Sequence, residues 1–357
     1  MITLYIRNEK FEKIGRPITQ ATSVVWLRKF MDAGQCAFNV EATPEMLDLL
    51  RYGRFVTRDD DEMVTIIKQI TIITNSETNM NEFQVVALDV LNELNNRHTY
   101  KLRTFDTDVK SAIGDLIEEN VLNPVVRDGV LYTARRMPIS IGSLSQIDNK
   151  INVELKVGTY ILDQIKAWCN DFDFGMSMKR VNDKFQFNLH KGVNRAYGQS
   201  VNPYVVFSEQ FHNLKTTNYI QDGSNYKNTA YVVGAEDIIE IVNDDLSGFN
   251  RKELFVDASS LSREDENKQQ ITEENYRLIL QQHGITSLNG SPLVETFSGE
   301  VLNTRLYKYK THFFIGDIVT IKNKIGLTFN ARITQVKEAY DINGEDITLT
   351  LEYREVI

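Results

Sequence analysis

The sequence predicts a mainly β fold with an α/β insertion, and three observations carry that prediction. The stretch GDIVTIKN at residues 316–323 echoes GRFVTRDD beginning at Gly53. Both echoes lead into strand-forming segments, a β-branched run after the first and an alternation of apolar and polar residues with a period of two after the second. The chain between them switches to helical spacing. Each copy predicts part of a small antiparallel barrel or sandwich, so the order along the chain is β, then α/β, then β again.

The echo is a gap-free match at a shift of 263 positions: Gly53 to Gly316, Val56 to Val319, Thr57 to Thr320, Thr65 to Thr328, Ile70 to Ile333 and Thr71 to Thr334. These are six identities in nineteen positions, where about one is expected by chance. Segments rich in β-formers share Val, Ile and Thr in any case, but the common spacing of the glycine and both following strands favours a duplication. Gly53, Val56, Thr57, Gly316, Val319 and Thr320 are the expected marks of a structural repeat.

The elements follow in order. Thr43 is placed to cap a helix with Pro44 at its first position and Met46, Leu47, Leu49 and Leu50 behind it. In the first copy, residues 65–74 are a β-branched run, 75–81 are turn-rich, and 83–88 return as a strand. Thr107 is the expected cap of a helix carrying Val109, Ile113, Leu116 and Ile117. Thr159 similarly opens one with Ile161, Leu162, Ile165, Trp168 and Cys169 on one face. Residues 171–190 read as strands, with FQFNLH closing a hairpin. A charged passage, 260–275, leads into a short helix around 276–282. In the second copy, Leu327, Phe329, Ala331 and Ile333 form one row of a half-buried strand. Asn343 and Gly344 suit a type I′ turn, and Ile347, Leu349, Leu351 and Tyr353 form the row beyond it.

Composition narrows the function. A length of 357 residues predicts two or more domains, because single cores stop growing near ~250–300 residues. The start lacks the apolar run of a signal peptide, and no stretch is long enough to span a bilayer. Cys36 and Cys169 lie far apart outside any CxxC, so neither a disulfide framework nor a zinc site is expected. A net charge of −9 argues against a surface that grips nucleic acid, which requires Lys and Arg on phosphates. It leaves open a surface that nucleic acid slides past.

Catalytic signatures are missing. His98, His190, His212, His283 and His312 are scattered, and there is no HExxH, GxSxG, Walker loop or GxGxxG. Ser224 and Lys227 satisfy SxxK, but in the turn-rich QDGSNYKN no helical turn is expected to bring them together. Asp59, Asp60, Asp61 and Glu62 could ligate calcium, although a solvated hairpin loop is the simpler expectation. YKYKTHFF, residues 307–314, mixes basic and aromatic side chains as a single-strand binder does, and reads more simply as an amphipathic strand.

The order of these segments resembles the baseplate or tail-tip hub of tailed bacteriophages. The resemblance is to the siphovirus hub-like proteins related to the contractile-phage hub and to the N-terminal part of tail-associated lysins. SVVWLRKFMDAGQCAFNV followed by TPEMLDLLRYGRFVT resembles the family's opening, and FQVVALDVLNELNNRHTY the close of its first barrel. VVFSEQFHNLKTTNYIQDGSNYKNTAYVVG resembles the hairpin that begins the second barrel, and FFIGDIVTIKN the segment that completes it.

The resemblance implies two tube-like antiparallel β-barrels and a mixed α/β domain. The first barrel would take residues 1–104, the middle domain 105–198 with 236–296, and the second barrel 199–235 with 297–357. It implies a homotrimer whose six barrels cap the tail tube, adapt six-fold to three-fold symmetry and conduct DNA without binding it specifically. The implied partners are a distal tail protein ring or the tail tube, the tape-measure protein, and receptor-binding or tail fibre proteins. Assembly would occur in the bacterial cytoplasm and the product would sit at the virion tail tip, with no cofactor, metal or membrane insertion. Lysin-bearing relatives continue into a peptidase or glycosidase region where this sequence stops at Ile357, so no cell-wall cleavage is expected. The competing readings are a receptor- or carbohydrate-binding tail component and a cell-wall hydrolase.

Overall fold

A computed structural model describes residues 2–75, 80–124, 132–144, 147–265, 267–302, 307–342 and 344–353. The chain opens with β1 (Leu4–Arg7), β2 (Lys13–Ile18), β3 (Ser23–Lys29) and β4 (Gln35–Glu41), then α1 (Pro44–Leu49), β5 (Phe55–Thr57), β6 (Thr65–Asn75) and β7 (Met80–Asp89). The middle holds β8 (Arg103–Asp108), α2 (Val109–Ile117), β9 (Ile139–Leu144), β10 (Lys150–Leu155) and α3 (Ile161–Phe172). The hairpin β11 (Gly175–Val181) and β12 (Lys184–His190) follows. Next come β13 (Val206–Ser208), β14 (Leu214–Asp222), β15 (Thr229–Gly234), β16 (Ile239–Val242), β17 (Glu253–Ala258) and α4 (Glu273–Asn289). The chain closes with β18 (Val294–Val301), β19 (Ile318–Lys322), β20 (Thr328–Asp341) and β21 (Gly344–Tyr353).

Two compact units result. The first gathers Met1–Glu93, Gly175–Tyr219 and Phe297–Glu352, and so contains both echoes of the glycine segment. The second comprises Leu94–Phe174 and Ile220–Thr296, with Tyr353.

The first unit is built on one sheet in the order β14-β18-β21-β20-β3-β4-β7-β6-β5-β1-β2, with β19 and β13 branching from β20. Two separate cores pack against it. One centres on Leu4, Trp26, Phe38, Val56, Ile67 and Phe83. The other centres on Phe207, Phe297, Phe313, Val319, Ile333 and Leu349. The alternation seen in the sequence is the cause, since every second side chain of β4, β7, β20 and β21 falls on a buried row. Asn343, expected at the β20–β21 turn, and most of the turn expected at 75–81 lie outside the described residues.

The second unit joins a β8–β10 antiparallel pair, α2 and α3 to a three-stranded sheet, β16-β15-β17, covered by α4. Side chains satisfy the first amide groups of α1, α2 and α4 but not of α3, and here several expectations need correction. Thr43 does cap α1, accepting from Met46 N–H at 3.2 Å with Pro44 behind it. The cap of α2 is Asp108, not Thr107: its carboxylate accepts from the Ser111 amide at 3.0 Å and from Ser111 Oγ at 2.9 Å. Thr107 is still held in the β8 ladder opposite Ile151. Thr159 does not cap α3 either, because its hydroxyl donates back to the Lys156 carbonyl at 2.8 Å. The helix runs on to Phe172, so the strands expected from residue 171 begin only at Gly175.

Helix α4 is far longer than the segment expected at 276–282. It is capped by Thr272 and bears Tyr276, Ile279, Leu280, Gly284 and Leu288 on its buried face. A Cβ at Gly284 would lie 2.7 Å from Val242 Cγ2 and 2.8 Å from Val232 Cγ2, so glycine lets the helix lie this close to β15 and β16.

Candidate functional site

The six residues expected to mark a repeat all lie in the first unit, and both glycines occupy the same local geometry. Gly53 has φ +84° and Gly316 φ +89°, a region that costs an L side chain but not glycine. Gly53 N–H donates to the Ile67 carbonyl at 3.0 Å, and Ile67 N–H returns to the Arg54 carbonyl at 2.9 Å. Gly316 N–H donates to Ile333 at 2.8 Å, and Ile333 N–H returns to Asp317 at 2.9 Å. Val56 and Val319 follow on β5 and β19, fully buried, with Thr57 and Thr320 beside them.

These bonds place Ile67 opposite Gly53 as Ile333 stands opposite Gly316. Both β6 and β20 also shift register one residue later, between Ile67 and Gln69 and between Ile333 and Gln335. The geometric counterparts in these strands are therefore 266 positions apart, not 263. Thr65, Ile70 and Thr71 do not correspond in space to Thr328, Ile333 and Thr334. The hairpin from Thr320 to Ile333 is three residues longer than that from Thr57 to Ile67, and the extra residues extend the β19–β20 strands, since the loop itself is shorter, 323–327 against 58–64.

Strand order repeats as well. The sequence of neighbours β3-β4-β7-β6-β5-β1 is matched by β14-β18-β21-β20-β19-β13. One difference stands out: β1 runs antiparallel to β5, whereas β13 runs parallel to β19.

Among the described residues, a single strand pairing joins the two sets, the seam of β20 with β3. Residues 335–340 of β20 pair antiparallel with residues 24–29 of β3, placing Glu338 opposite Trp26 and Tyr340 opposite Val24. Along this seam runs a cluster of charges. Arg58 grips Asp60 through Nε at 2.9 Å and Nη2 at 2.6 Å, lies 3.0 Å from Glu338 Oε2, and donates to Tyr340 Oη at 3.2 Å. Its guanidinium stands 5.3 Å from the Trp26 ring centre. Lys310 Nζ lies 2.6 Å from Asp61 Oδ2 and 3.4 Å from Glu338 Oε1, and Arg28 Nη1 lies 3.1 Å from Asp61 Oδ1.

Three cations, Arg28, Arg58 and Lys310, stand against Asp60, Asp61 and Glu338, and of these Arg58, Asp61 and Glu338 are taken out of water while Asp60 stays exposed. The side chains of Arg58 and Asp61 are 1% and 0% exposed. Burial pushes the Asp61 carboxyl up, but Arg28 and Lys310 outweigh it and hold the group below its ordinary range. The hydrogen bond from Arg58 lowers Asp60. Burial opposes the charge on Arg58, and Asp60 and Glu338 more than restore it. Burial and then Glu338 raise the Tyr340 phenol. The cluster acts as a lock, since each carboxylate is matched to a cation. A polar cleft of about 570 Å³ opens over it, bordered by Tyr5, Arg58, Lys308, Lys310, Glu338 and Glu345.

The acidic run stays largely solvated, as expected, with the Asp59, Asp60 and Glu62 side chains exposed; Asp61 is the exception, its carboxylate buried between Arg28 and Lys310. Among the described residues no three or more His, Cys, Asp or Glu side chains gather as metal ligands. Residues 307–314 are not the strand expected. Lys310 turns the chain at φ +64°, and Tyr309 and Phe313 both enter the second core, Phe313 edge-on to Phe207 at 5.1 Å. The Ser224 and Lys227 pattern lies in a turn closed from Tyr226 N–H to the Gly223 carbonyl at 3.1 Å. The seam itself escaped the sequence; its one trace there is Glu338, a carboxylate on the otherwise apolar buried row of β20.

The chain matches the model of a family described as Siphovirus ReqiPepy6 Gp37-like protein over residues 3–351. No curated protein is matched by the chain. Its fold is similar to that of a tail protein from Neisseria meningitidis, with TM-score 0.62 and 12% identity over 98% of this chain and 96% of that one. It is similar also to a 43 kDa tail protein of prophage MuSo2 from Shewanella oneidensis, with TM-score 0.58 and 9% identity over 98% of each chain. Prophage tail protein gp18 from Listeria monocytogenes gives TM-score 0.51 and 12% identity over 98% of this chain and 94% of that one.

Proposed function

The chain belongs to the Siphovirus ReqiPepy6 Gp37-like protein family, and from that membership we propose that it is a structural component of a phage tail, acting as the hub of the tail tip. In this reading the two matched strand sets are copies of one barrel module. Three chains form a ring of six modules, which caps the six-fold tube, presents a three-fold face beyond it, and conducts DNA at infection. The neighbours are a distal tail ring or the tube itself, the tape-measure protein, and receptor-binding or fibre proteins. The chain performs no catalysis in this role.

The observation that carries the reading is the repeated strand order around two glycine turns of the same geometry in one chain. A ring built head to tail closes when successive units present matching surfaces, and a chain with two such units needs only three copies to make six. The fold shared with three tail proteins supports the tail context. Reconstruction of assembled particles tests it directly. Three copies in a pseudo-six-fold ring are expected, and a monomer or dimer at that position overturns the proposal.

A further inference from the structure

Strand β20 uses one of its edges twice. Strand β21 occupies the opposite edge from Arg332 to Asp341, so β19 along residues 328–332 and β3 along residues 335–340 share the remaining one. The counterpart strand β6 is only half used. Strand β7 covers one edge throughout, and β5 with the Gly53 turn covers the other as far as Ile67. Beyond that point, among the described residues, no strand pairs with residues 69–74. The counterpart of β3 is β14, which ends the sheet with β18 as its one described strand neighbour.

We propose that residues 69–74 of β6 pair antiparallel with residues 214–219 of β14 from a second copy of this chain, making between copies the seam that β20 and β3 make within one. This rests on the ring reading and adds to it the two edges that meet. The contact is head to tail, so each copy donates one edge and accepts at the other.

The chemistry of the β6 edge agrees, and the one charge on residues 214–219, Lys215, is paired with Glu300 and Asp346. An unpaired edge is a template for further pairing, and proteins that must avoid this blunt it with charge or proline. Strand β2, at the far end of the sheet, is blunted in that way by Lys13, Arg16 and Pro17. Residues 69–74 read QITIIT, with no charge and no proline, and Ile72 is 50% exposed. Side chains have also changed in concert. Ile72 stands at the counterpart of Glu338 and Ile321 at the counterpart of Arg58, so both members of the ion pair that locks the internal seam are isoleucine at the proposed one. Replacing one member alone would have left a buried charge facing an apolar side chain.

Native mass spectrometry and hydrogen exchange of the full-length protein, over a range of concentrations, test the seam. Assembly is expected to slow exchange at both 69–74 and 214–219 by about a hundredfold or more. Ile72→Lys should return the chain to its monomer mass, while Ile342→Lys, at a position that is 91% exposed near the β20–β21 turn, should leave assembly intact. A trimer in which both segments exchange as fast as in the monomer overturns the seam and leaves the ring standing. Assembly unchanged by Ile72→Lys, or a chain monomeric at its solubility limit, also overturns the seam, whereas the ring itself is decided by reconstruction.

Discussion

Gly53 and Gly316 share a backbone conformation but not surroundings, which separates two costs at the residue scale. A Cβ at Gly53 would meet nothing within 4 Å, whereas one at Gly316 would lie 2.3 Å from Phe30 Cε2. Gly53→Ala should therefore cost only the backbone penalty, about 1–2 kcal/mol. Gly316→Ala adds an overpacking cost of about 1–3 kcal/mol; denaturant unfolding of the two variants compares them, and equal losses would contradict the account. The charge lock makes a second test. Removing one partner of a buried pair typically costs about 3–5 kcal/mol, while an apolar pair of similar volume is often neutral. Glu338→Leu and Arg58→Met should each destabilise strongly, and the double variant should recover much of the loss in a double-mutant cycle. Asp89 supplies a pH test with a definite sign. Burial raises its carboxyl from 3.8 to about 6, so its favourable contribution is complete below pH 3.8 and lost as pH rises through 6. Asp89→Asn escapes that loss while keeping an acceptor for the Leu91 amide, 3.0 Å away. Relative to the parent protein it should gain on the order of 2–3 kcal/mol between pH 4 and pH 7. His190, held down to about 4 by burial and then by Arg28 and Arg332, works in the opposite sense and is common to both proteins, so it cancels in the comparison.

At the scale of elements, Gly284 in α4 weighs packing against propensity. Alanine there would gain about 1 kcal/mol of helix propensity but drive a methyl group into Val232 and Val242. Overpacking at about 1–3 kcal/mol prevails, so Gly284→Ala should speed amide exchange in α4 rather than slow it. The same helix shows what was legible in the sequence and what was not. Thr272 and the polar first turn are ordinary start signals, but a charged run masks them, and the buried face is broken by the glycine that the sheet requires. Thr107 and Asp108 show a finer limit, because both residue types cap helices and only the point at which the β8 ladder ends, at Asp108, decides between them. The repeat was legible at its glycines, where a positive φ restricts the residue type. It was misaligned in the next strand because runs of Ile and Thr match one another at several shifts, and the second hairpin is extended by three residues in its paired strands. The seam was not legible. Arg58 and Tyr340 are 282 positions apart, and a hydrogen bond over that distance leaves no periodic trace in either strand.

At the scale of the whole molecule, a net charge of −9 per chain and a proposed passage for DNA pose one question together: where the cations go. A Lys or Arg free to pair with phosphate releases counterions and holds DNA in place, with an affinity that falls steeply with salt. A conduit must avoid such holds. Within one chain many cations already lie against carboxylates: Lys13 on Asp59, Lys29 on Asp32, Lys68 on Glu93, Lys179 on Glu62 and Arg195 on Asp317. The exposed pairs among these add little stability, about 0–1 kcal/mol each, but every pair lowers the charge available to a passing backbone. The wall of the assembled ring should therefore be lined by acidic or small polar side chains, with Lys and Arg paired or directed at neighbouring copies. Titration of the assembled protein with duplex DNA at low salt should give no binding with a steep inverse dependence on salt. Retention of DNA with such a slope, or a ring structure whose channel presents unpaired Lys and Arg, would remove DNA conduction from the proposed function. The repeated strand order and its seam do not depend on that outcome, because they rest on backbone pairing and not on the sign of the surface.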